Sequence, residues 1–374
     1  MFSSFLLFLL VGSIIHLLIR HLFKKRNFVD APDGIKKQHK LAVPISGGLS
    51  FGLSYCLFVF VGILIFYFNL NDALNIQLPV IGYGPNFPFF SFIILLLLSF
   101  VLLIICLIDD LISLPVWVRL FAQISCSVLF IQLGGVSLIN LGSLLGSGEI
   151  ILQEYVAFIF TIFCIVGVTN AFNWIDGIDG FFGSQVLLAL LGMMILSGRI
   201  SVFHIAFLSA ISPYIVMNLG LLGDKFKVFI GDHGAMMIGF LIAGSLVLLS
   251  QATEGIYVER IRPVDALWCV GLVLLNALRV IWKRLIKKTS IFSSDREHIH
   301  HYFLDLGYST EKTLIIVSSV SLIIFSLGIV FALLKVPEWI SLLTFLGIFL
   351  FWNFFSKSIY SKLMKRQESL QSSK

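Results

Sequence analysis

The chain has 374 residues, of which 58% are hydrophobic and only 12% are charged, and its mean hydropathy is +1.01. A chain with this few polar side chains cannot cover the surface of a soluble fold. The composition therefore excludes a soluble domain and indicates a polytopic membrane protein. The formal net charge of +6 does not call for a nucleic acid, because the basic residues flank apolar segments, where they would meet anionic lipid.

Apolar segments of about 20 residues recur along the chain and predict an all-α protein with eleven transmembrane helices. They lie near residues 2–22, 46–68, 89–108, 117–136, 153–171, 182–198, 202–221, 234–251, 263–282, 313–334 and 338–356. The first segment is followed by basic residues and has neither a basic start nor a small-residue cleavage site, so we expect an uncleaved membrane helix. We expect residues 1–356 to form one transmembrane domain and residues 357–374 a basic tail.

The basic residues are distributed unevenly between the two sides of these eleven helices. Only four of the 26 Lys and Arg residues, Arg199, Arg260, Arg262 and Lys335, fall in the loops on one side. By the positive-inside rule the other side is cytoplasmic, which places the N-terminus outside and the C-terminus inside. The cytoplasmic loops also hold most of the side chains able to do chemistry.

Two cytoplasmic segments precede the centre of the chain. In "DAPDGIKKQHKLAVPISGG", Lys36 and His39 supply positive charge, and Gly47 and Gly48 open a helix where bare backbone N–H groups can approach a phosphate. A plain positive-inside linker would explain the lysines alone. In "IDDLISLP", the adjacent Asp109 and Asp110 are either a solvated helix end or cation ligands, since a helix C-terminus disfavours uncompensated negative charge.

The segment "NAFNWIDGIDG" places Asn170, Asn173, Asp176 and Asp179 at intervals of three. On a continuous helix, steps of three residues drift around the axis, so Asn170 and Asp179 would point to opposite sides. Gly177 and Gly180 favour a bend that lets these polar groups converge in a loop at the membrane boundary.

Two more cytoplasmic segments follow. In "DKFKVFIGDHGAMMIGF", Lys225 and Lys227 precede Asp232, which is either a helix N-cap or a cation ligand. In "SDREHIHHYF", three histidines suggest zinc, but no fourth ligand is close in the sequence, so we do not favour a zinc site.

Electrostatics connects these segments. Five aspartates would repel one another strongly and cannot share one site in the ionised form without cations: Asp109, Asp110, Asp176, Asp179 and Asp232. Hard oxygen ligands without thiolates suit Mg²⁺, with Mn²⁺ as a possible substitute, and Mg²⁺ often bridges carboxylates to substrate phosphates. The residues therefore predict a Mg²⁺-dependent phosphate or diphosphate enzyme at the inner membrane face.

The motifs "DDLISLP", "NAFNWIDGIDG", "VFIGDHGAMMIGF" and "DREHIHHYFLDLG", in this order, resemble the polyprenyl-phosphate N-acetylhexosamine-1-phosphate transferases. The similarity spans about residues 30–307. It implies transfer of a sugar-1-phosphate from a UDP-sugar to undecaprenyl phosphate, with release of UMP. The "HIHH" form resembles the branch that uses UDP-N-acetylglucosamine (UDP-GlcNAc) to start O-antigen, common-antigen or teichoic-acid chains.

The resemblance also implies roles for individual residues. It places Mg²⁺ at Asp232, Asp109 and Asp110, and chemistry at Asp109, Asp110, Asp176 and Asp179. The implied substrate-binding residues are Lys36, His39, Gly47, Gly48, Asn170, Asn173, Lys225, Lys227, Arg296, His298, His300 and His301. A homodimer is a further possibility.

The chain departs from the family pattern at several positions. Ala235 replaces the usual serine, Asn276 stands where an aspartate is common, and the N-terminal motif lacks an arginine. These departures leave open a catalytically idle relative. A secondary transporter is a more distant alternative, because its acids would gather near the bilayer midplane on repeated, broken helices.

Overall fold

The computed structural model describes residues 2–31, 42–68, 89–251, 261–290 and 298–371. Within these ranges the chain forms thirteen α-helices and one two-stranded sheet. The helices are α1 (Phe2–Lys25), α2 (Gly47–Tyr67), α3 (Phe89–Ile112), α4 (Val116–Gly134), α5 (Glu154–Trp174), α6 (Phe181–Leu196), α7 (Val202–Asn218), α8 (Gly231–Gln251), α9 (Pro263–Cys269), α10 (Gly271–Ile286), α11 (Ile299–Asp305), α12 (Thr310–Leu333) and α13 (Glu338–Gln371).

The prediction of a mostly helical membrane protein is confirmed. Each of the eleven predicted segments coincides with a helix or, at the ninth segment, with the pair α9 and α10. Seven described helices are long and apolar enough to cross a membrane, or eight if the bent pair is one span, and α6, α7 and Glu338–Phe354 of α13 are apolar but shorter. The number of eleven crossings and the sidedness of the termini stay predictions.

The ninth segment is not one straight helix. Helices α9 and α10 meet at Val270 at an angle of 86°. Gly271 lies at the break, where an added Cβ would come within 2.9 Å of Ile324 of α12. The apolar pattern continues through this break, so hydropathy gave no sign of it.

Helix α8 lies at the centre of the described helices. It is buried from His233 to Ser250 and packs against α2, α3 and α5. Small residues allow this close approach: a Cβ at Gly239 would lie 3.0 Å from Phe172 of α5. Because the helix is central, its first turn places Asp232 among the ends of the surrounding helices.

The two strands are short additions to the helical fold. Strand β1 (Val29–Asp30) pairs antiparallel with β2 (Val43–Pro44), in the register Val29 with Pro44 and Asp30 with Val43. Beyond β2, the backbone N–H of Phe229 donates to the Pro44 carbonyl at 2.9 Å. These hydrogen bonds tie the start of α2 to the segment that leads into α8.

The other end of α8 carries a different structure. Residues 135–153 join α4 to α5 and fold back on themselves through a bridge between Asn140 and Ile151. The Gln251 side chain accepts hydrogen bonds from the backbone N–H groups of Ile139 and Asn140 at 3.2 and 3.1 Å, and donates to the Asn140 carbonyl at 2.9 Å. The Glu338 carboxylate accepts from the Ser143 N–H at 3.0 Å, which attaches the same segment to α13.

Candidate active site

Three carboxylates meet at the first turn of α8. Asp109 and Asp110 lie in the last turn of α3, and Asp232 lies in the first turn of α8. Their candidate ligand oxygens all lie within 4.8 Å of one another. Asp232 is a residue of the first turn and its carboxylate contacts Arg119, so its position gives no support to the capping interpretation.

Arg119 bridges this cluster. Its Nη1 donates to Asp232 Oδ2 at 2.6 Å, and its Nε lies 3.3 Å from Asp109 Oδ2. Helices α3 and α4 are joined by only three residues, and Ser113 in this turn has a positive φ of 54°. This short turn places the first turn of α4, which contains Arg119, beside the end of α3.

His233 contacts the third carboxylate. Its Nδ1 lies 2.6 Å from Asp110 Oδ2, and its backbone N–H points at the same oxygen with an N···O distance of 3.4 Å. The His233 side chain is fully buried. Asp110 is therefore held by the helix that carries Asp232.

The charges of this cluster suit a divalent cation. Three carboxylates and one guanidinium leave two uncompensated negative charges among the described residues in contact at this point. All three candidate ligands are hard oxygen donors, which Mg²⁺ and Mn²⁺ prefer. The donor set fits the predicted metal.

Gly47 and Gly48 differ from expectation. Their N–H groups donate to the carbonyls of Phe229 and Ile230, both at 2.9 Å, so they are not available to a phosphate in this structure. A Cβ at Gly48 would lie 2.6 Å from the backbone nitrogen of Gly234. These glycines instead allow α2 and α8 to touch through their backbones.

The chain bends after α5, as Gly177 and Gly180 predicted. The bend begins after Trp174, too late in the chain to bring all four polar residues into one loop. Asn170 and Asn173 lie in the last turns of α5, and Asp176 and Asp179 lie in the loop 175–180. The Asn170 amide donates to Gln123 Oε1 of α4 at 2.6 Å. Gln123 lies one helical turn after Arg119, so α4 supports both the acid cluster and the end of α5.

The loop 175–180 is attached to the segment before α8. Asp179 forms an ion pair with Lys227, and the Asn218 side chain accepts from the Gly180 N–H at 2.7 Å while donating to the Val228 carbonyl at 3.0 Å. Lys225 is placed differently, because its ammonium lies over the Phe226 ring, 5.4 Å from the centroid. Only Lys227 of the two predicted lysines pairs with a predicted acid.

Asp176 lies in an unfavourable electrostatic environment. Its side chain is exposed, yet protein atoms surround it closely enough to reduce its hydration. This loss of hydration, together with the charges of Asp232, Asp179 and Asp30, raises the pKa of the Asp176 carboxyl from 3.8 to about 7.

The histidine motif packs against the same loop. The ring of His300 lies directly on Gly177, where a Cβ would come 3.1 Å from its Cδ2. His298 and His300 stack with ring centroids 5.8 Å apart, and His301 lies 4.3 Å from His300. In the described residues these histidines form no cluster with metal-ligand geometry. The structure thus brings this motif to the acidic loop.

Asn276 has a clear structural role. Its Oδ1 accepts from the Ile299 N–H at 3.0 Å, and its Nδ2 lies 3.2 Å from His298 Nδ1. An ionised aspartate could accept from both groups but could donate to neither. The amide therefore holds the start of α11 and His298 in place.

Three predicted site residues, Lys36, His39 and Arg296, lie outside the described residues. Conversely, Arg119, Gln123, Asn218 and His233 belong to the described site and were not predicted from the sequence. Arg119 gave a weak signal, as the lone charged residue of α4, and His233 gave another, as an imidazole beside a predicted ligand. Gln123 and Asn218 look like ordinary polar residues within apolar helices.

Comparison with known proteins gives a consistent result. The profile of glycosyl transferase family 4 matches residues 92–250, a range that contains the acid cluster and the loop 175–180. The chain is 32% identical over 355 residues to the undecaprenyl-phosphate α-N-acetylglucosaminyl 1-phosphate transferase of Escherichia coli O157:H7, covering 93% of this chain and 89% of the relative.

Two further relatives carry the same name. The protein of Yersinia pestis is 30% identical over 373 residues, covering 97% of this chain and 94% of the relative. That of Haemophilus influenzae is 32% identical over 366 residues, covering 96% and 94%. With 97% of the chain covered, the match to the protein of Yersinia pestis extends beyond the profile to the histidine motif.

Proposed function

Since the chain belongs to glycosyl transferase family 4, in the branch of the undecaprenyl-phosphate GlcNAc-1-phosphate transferases, we propose that it transfers GlcNAc-1-phosphate from UDP-GlcNAc to undecaprenyl phosphate. The products are UMP and a lipid-linked diphosphate sugar. That the chain is a phosphoglycosyltransferase follows from its relatives. The donor, the metal and the pathway are the proposed part.

The observation that carries the proposal is the acid cluster with its two uncompensated charges. Asp109, Asp110 and Asp232 would hold Mg²⁺, which neutralises diphosphate charge and stabilises a departing phosphate when bound at such a site. Asp232 is the most accessible of the three, with 45% of its side chain exposed. It therefore faces the region from which a donor would approach.

The surrounding residues would position the donor. Asn173 ends α5, and Asp176 and Asp179 lie in the loop that follows, where the charge of Asp232 acts on Asp176 and Lys227 pairs with Asp179. His300 lies on Gly177 of the same loop, His298 lies near Trp174 at the end of α5, and His301 lies against His300, so this motif would help to shape the space for the donor. Orientation and electrostatic stabilisation of this kind account for most of the rate in phosphoryl transfer.

The acceptor phosphate would attack directly. The second pKa of a phosphate monoester is near 6, so the lipid phosphate is largely dianionic at neutral pH and needs no strong base. The alternative, a covalent intermediate on Asp109 or Asp110, requires a free carboxylate oxygen for attack. Asp109 is buried and paired with Arg119, which disfavours it as a nucleophile, whereas Asp110 keeps one oxygen that His233 does not contact. Direct attack is the route that needs neither carboxylate as a nucleophile. Ping-pong kinetics, or release of UMP without acceptor, would instead favour the covalent route.

A single assay tests the reaction. Detergent-solubilised protein is mixed with undecaprenyl phosphate, Mg²⁺ and a panel of UDP-sugars, and UMP is measured. We expect UDP-GlcNAc to be preferred, because of the "HIHH" motif. Preference for another UDP-N-acetylhexosamine would overturn the sugar assignment and leave the reaction class in place. Binding of UDP-sugars without turnover would establish an idle relative, and substrate accumulation in vesicles without UMP would indicate a transporter.

The product would start a lipid-linked cell-surface polysaccharide, such as O-antigen in lipopolysaccharide biosynthesis or a cell-wall polymer. We place the protein in the bacterial cytoplasmic membrane with the acid cluster facing the cytoplasm, where UDP-sugars are made. Cysteine introduced at Ser147, in the exposed turn between α4 and α5, should react with an impermeant thiol reagent added outside cells, and cysteine at Thr289 should not. The reverse pattern would overturn this orientation.

A further inference from the structure

His233 is held in one orientation by its surroundings. A Cβ at Gly48 would lie 2.7 Å from its Cδ2, and a Cβ at Gly231 would lie 2.6 Å from its Nδ1, so neither position leaves room for a larger residue while the ring stays in place. Its Nε2 is buried and has no hydrogen-bond partner among the described residues. The polar contacts of the ring are therefore directed at Asp110.

The contact between His233 and Asp110 determines which carboxylate oxygen of Asp110 a ligand can reach. An ionised carboxylate only accepts hydrogen bonds, so the proton between the two side chains belongs to His233 Nδ1. The ring N–H and the backbone N–H of His233 both point at Oδ2 of Asp110. No group in the described part of the chain donates to the other oxygen, Oδ1, which stays available to a ligand.

We propose that His233 is a positioning residue that orients the Asp110 carboxylate for a divalent cation. The inference rests on the proposed function in one respect, that Asp110 is a cation ligand. Groups that hydrogen-bond to metal-ligating residues commonly change metal affinity by about 10- to 100-fold when they are removed. Gly48 and Gly231 contribute by leaving the space that the imidazole occupies.

The test measures metal binding and does not require turnover. Purified full-length protein in detergent is titrated with Mn²⁺, and the free ion is followed by its electron paramagnetic resonance signal. His233→Ala removes the N–H donor, whereas His233→Asn keeps an N–H near the position of Nδ1. We expect the Mn²⁺ dissociation constant to rise about 10- to 100-fold in His233→Ala and to return to within about threefold of wild type in His233→Asn.

His204 provides a matched control. It is also buried and also uses Nδ1 in a hydrogen bond, to the Ser201 N–H at 3.1 Å, at the start of α7. His204→Ala should leave the Mn²⁺ affinity unchanged. Gel filtration reports whether each variant is folded, and His233→Val is a second donor-free variant should His233→Ala not fold.

The outcomes separate this inference from the proposed function. Unchanged Mn²⁺ affinity in His233→Ala, or equal weakening in the Ala and Asn variants, would overturn the positioning role while wild-type binding leaves the metal site standing. Failure of wild type to bind Mn²⁺ at all would overturn both. Weakening in both donor-free variants, His233→Ala and His233→Val, with recovery in His233→Asn supports the positioning role, because Val and Asn fill similar volumes and differ in the N–H.

Discussion

The two ends of α8 use polar residues in opposite ways. At one end, the Gln251 side chain hydrogen-bonds with backbone groups of the segment 135–153 through both its amide oxygen and its amide nitrogen. At the other end, Asp232 joins Asp109 and Asp110, and Arg119 compensates only one of the three charges in contact there, among the described residues. Neutral groups that satisfy each other's hydrogen bonds are typical of structural support. Uncompensated charge at a membrane boundary is costly unless a bound ligand neutralises it.

The largest expected effect is at the acidic end. Asp232→Asn keeps the size of the side chain and removes its charge, so a metal ligand would be lost with little change in shape. We expect turnover at limiting Mg²⁺ to fall about a hundredfold, with partial recovery at high Mg²⁺ or with Mn²⁺. The measurement is UMP release by detergent-solubilised protein.

Asp224→Asn is the control for that experiment, because Asp224 is exposed and begins the short 3-10 turn before α8. It should retain turnover. If Asp232→Asn protein is folded and within threefold of wild type at limiting Mg²⁺, the metal assignment is wrong and the two ends of α8 do not differ in the proposed way.

The next effect tests the amide end. Gln251→Leu leaves the N–H groups of Ile139 and Asn140 without their acceptor, which we expect to cost about 1–2 kcal/mol of stability. Thermal unfolding in detergent should show a lower midpoint, and UMP release at 25 °C should stay within twofold of wild type. Gln251→Glu keeps an acceptor oxygen and should lose less stability. A large loss of turnover without loss of stability would contradict the structural role of this end.

The smallest effect concerns Asp176, whose carboxyl loses hydration and lies near other negative charges. Its carboxyl ionises near pH 4 in the unfolded chain and has a pKa of about 7 in the folded protein, so the folded state binds more protons between these values. Stability therefore falls as the pH rises through this window. Asp176→Asn removes this loss.

The measurement compares the thermal midpoints of Asp176→Asn and wild type in buffer without divalent cations. The difference, variant minus wild type, should become more positive between pH 5 and pH 8. Asp224→Asn serves again as the control. A difference that stays constant with pH would show that Asp176 ionises normally and that the acidic end is less crowded than its geometry indicates.

Hydropathy predicted the helices well because a membrane imposes long apolar stretches whatever the neighbouring helices do. It missed the 86° bend at Val270, since the residues on both sides of the break are equally apolar. At the break, Gly271 lies close to Ile324, which is 53 residues away in the sequence. Tertiary contacts of that kind leave no local pattern.

The site residues also divide into those that the sequence revealed and those that it did not. The charges of Asp109, Asp110 and Asp232 stood out because carboxylates are rare in apolar sequence, and the structure brings these three together. The structure gives Gly47 and Gly48 a role in helix packing that the sequence did not predict, because a glycine pair before a helix looks alike whether it receives a phosphate or another backbone. Arg119 could not be assigned, since its partners come from two other helices.

The bridge that Arg119 makes also has a consequence for biogenesis. A newly made chain must bring three carboxylates together where the end of α3 meets the start of α8. The guanidinium draws Asp109 and Asp232 together from within the same polypeptide and lessens their repulsion. If the cluster holds the proposed cation, we expect the helices to assemble first and the ion to bind afterwards, as a separate event.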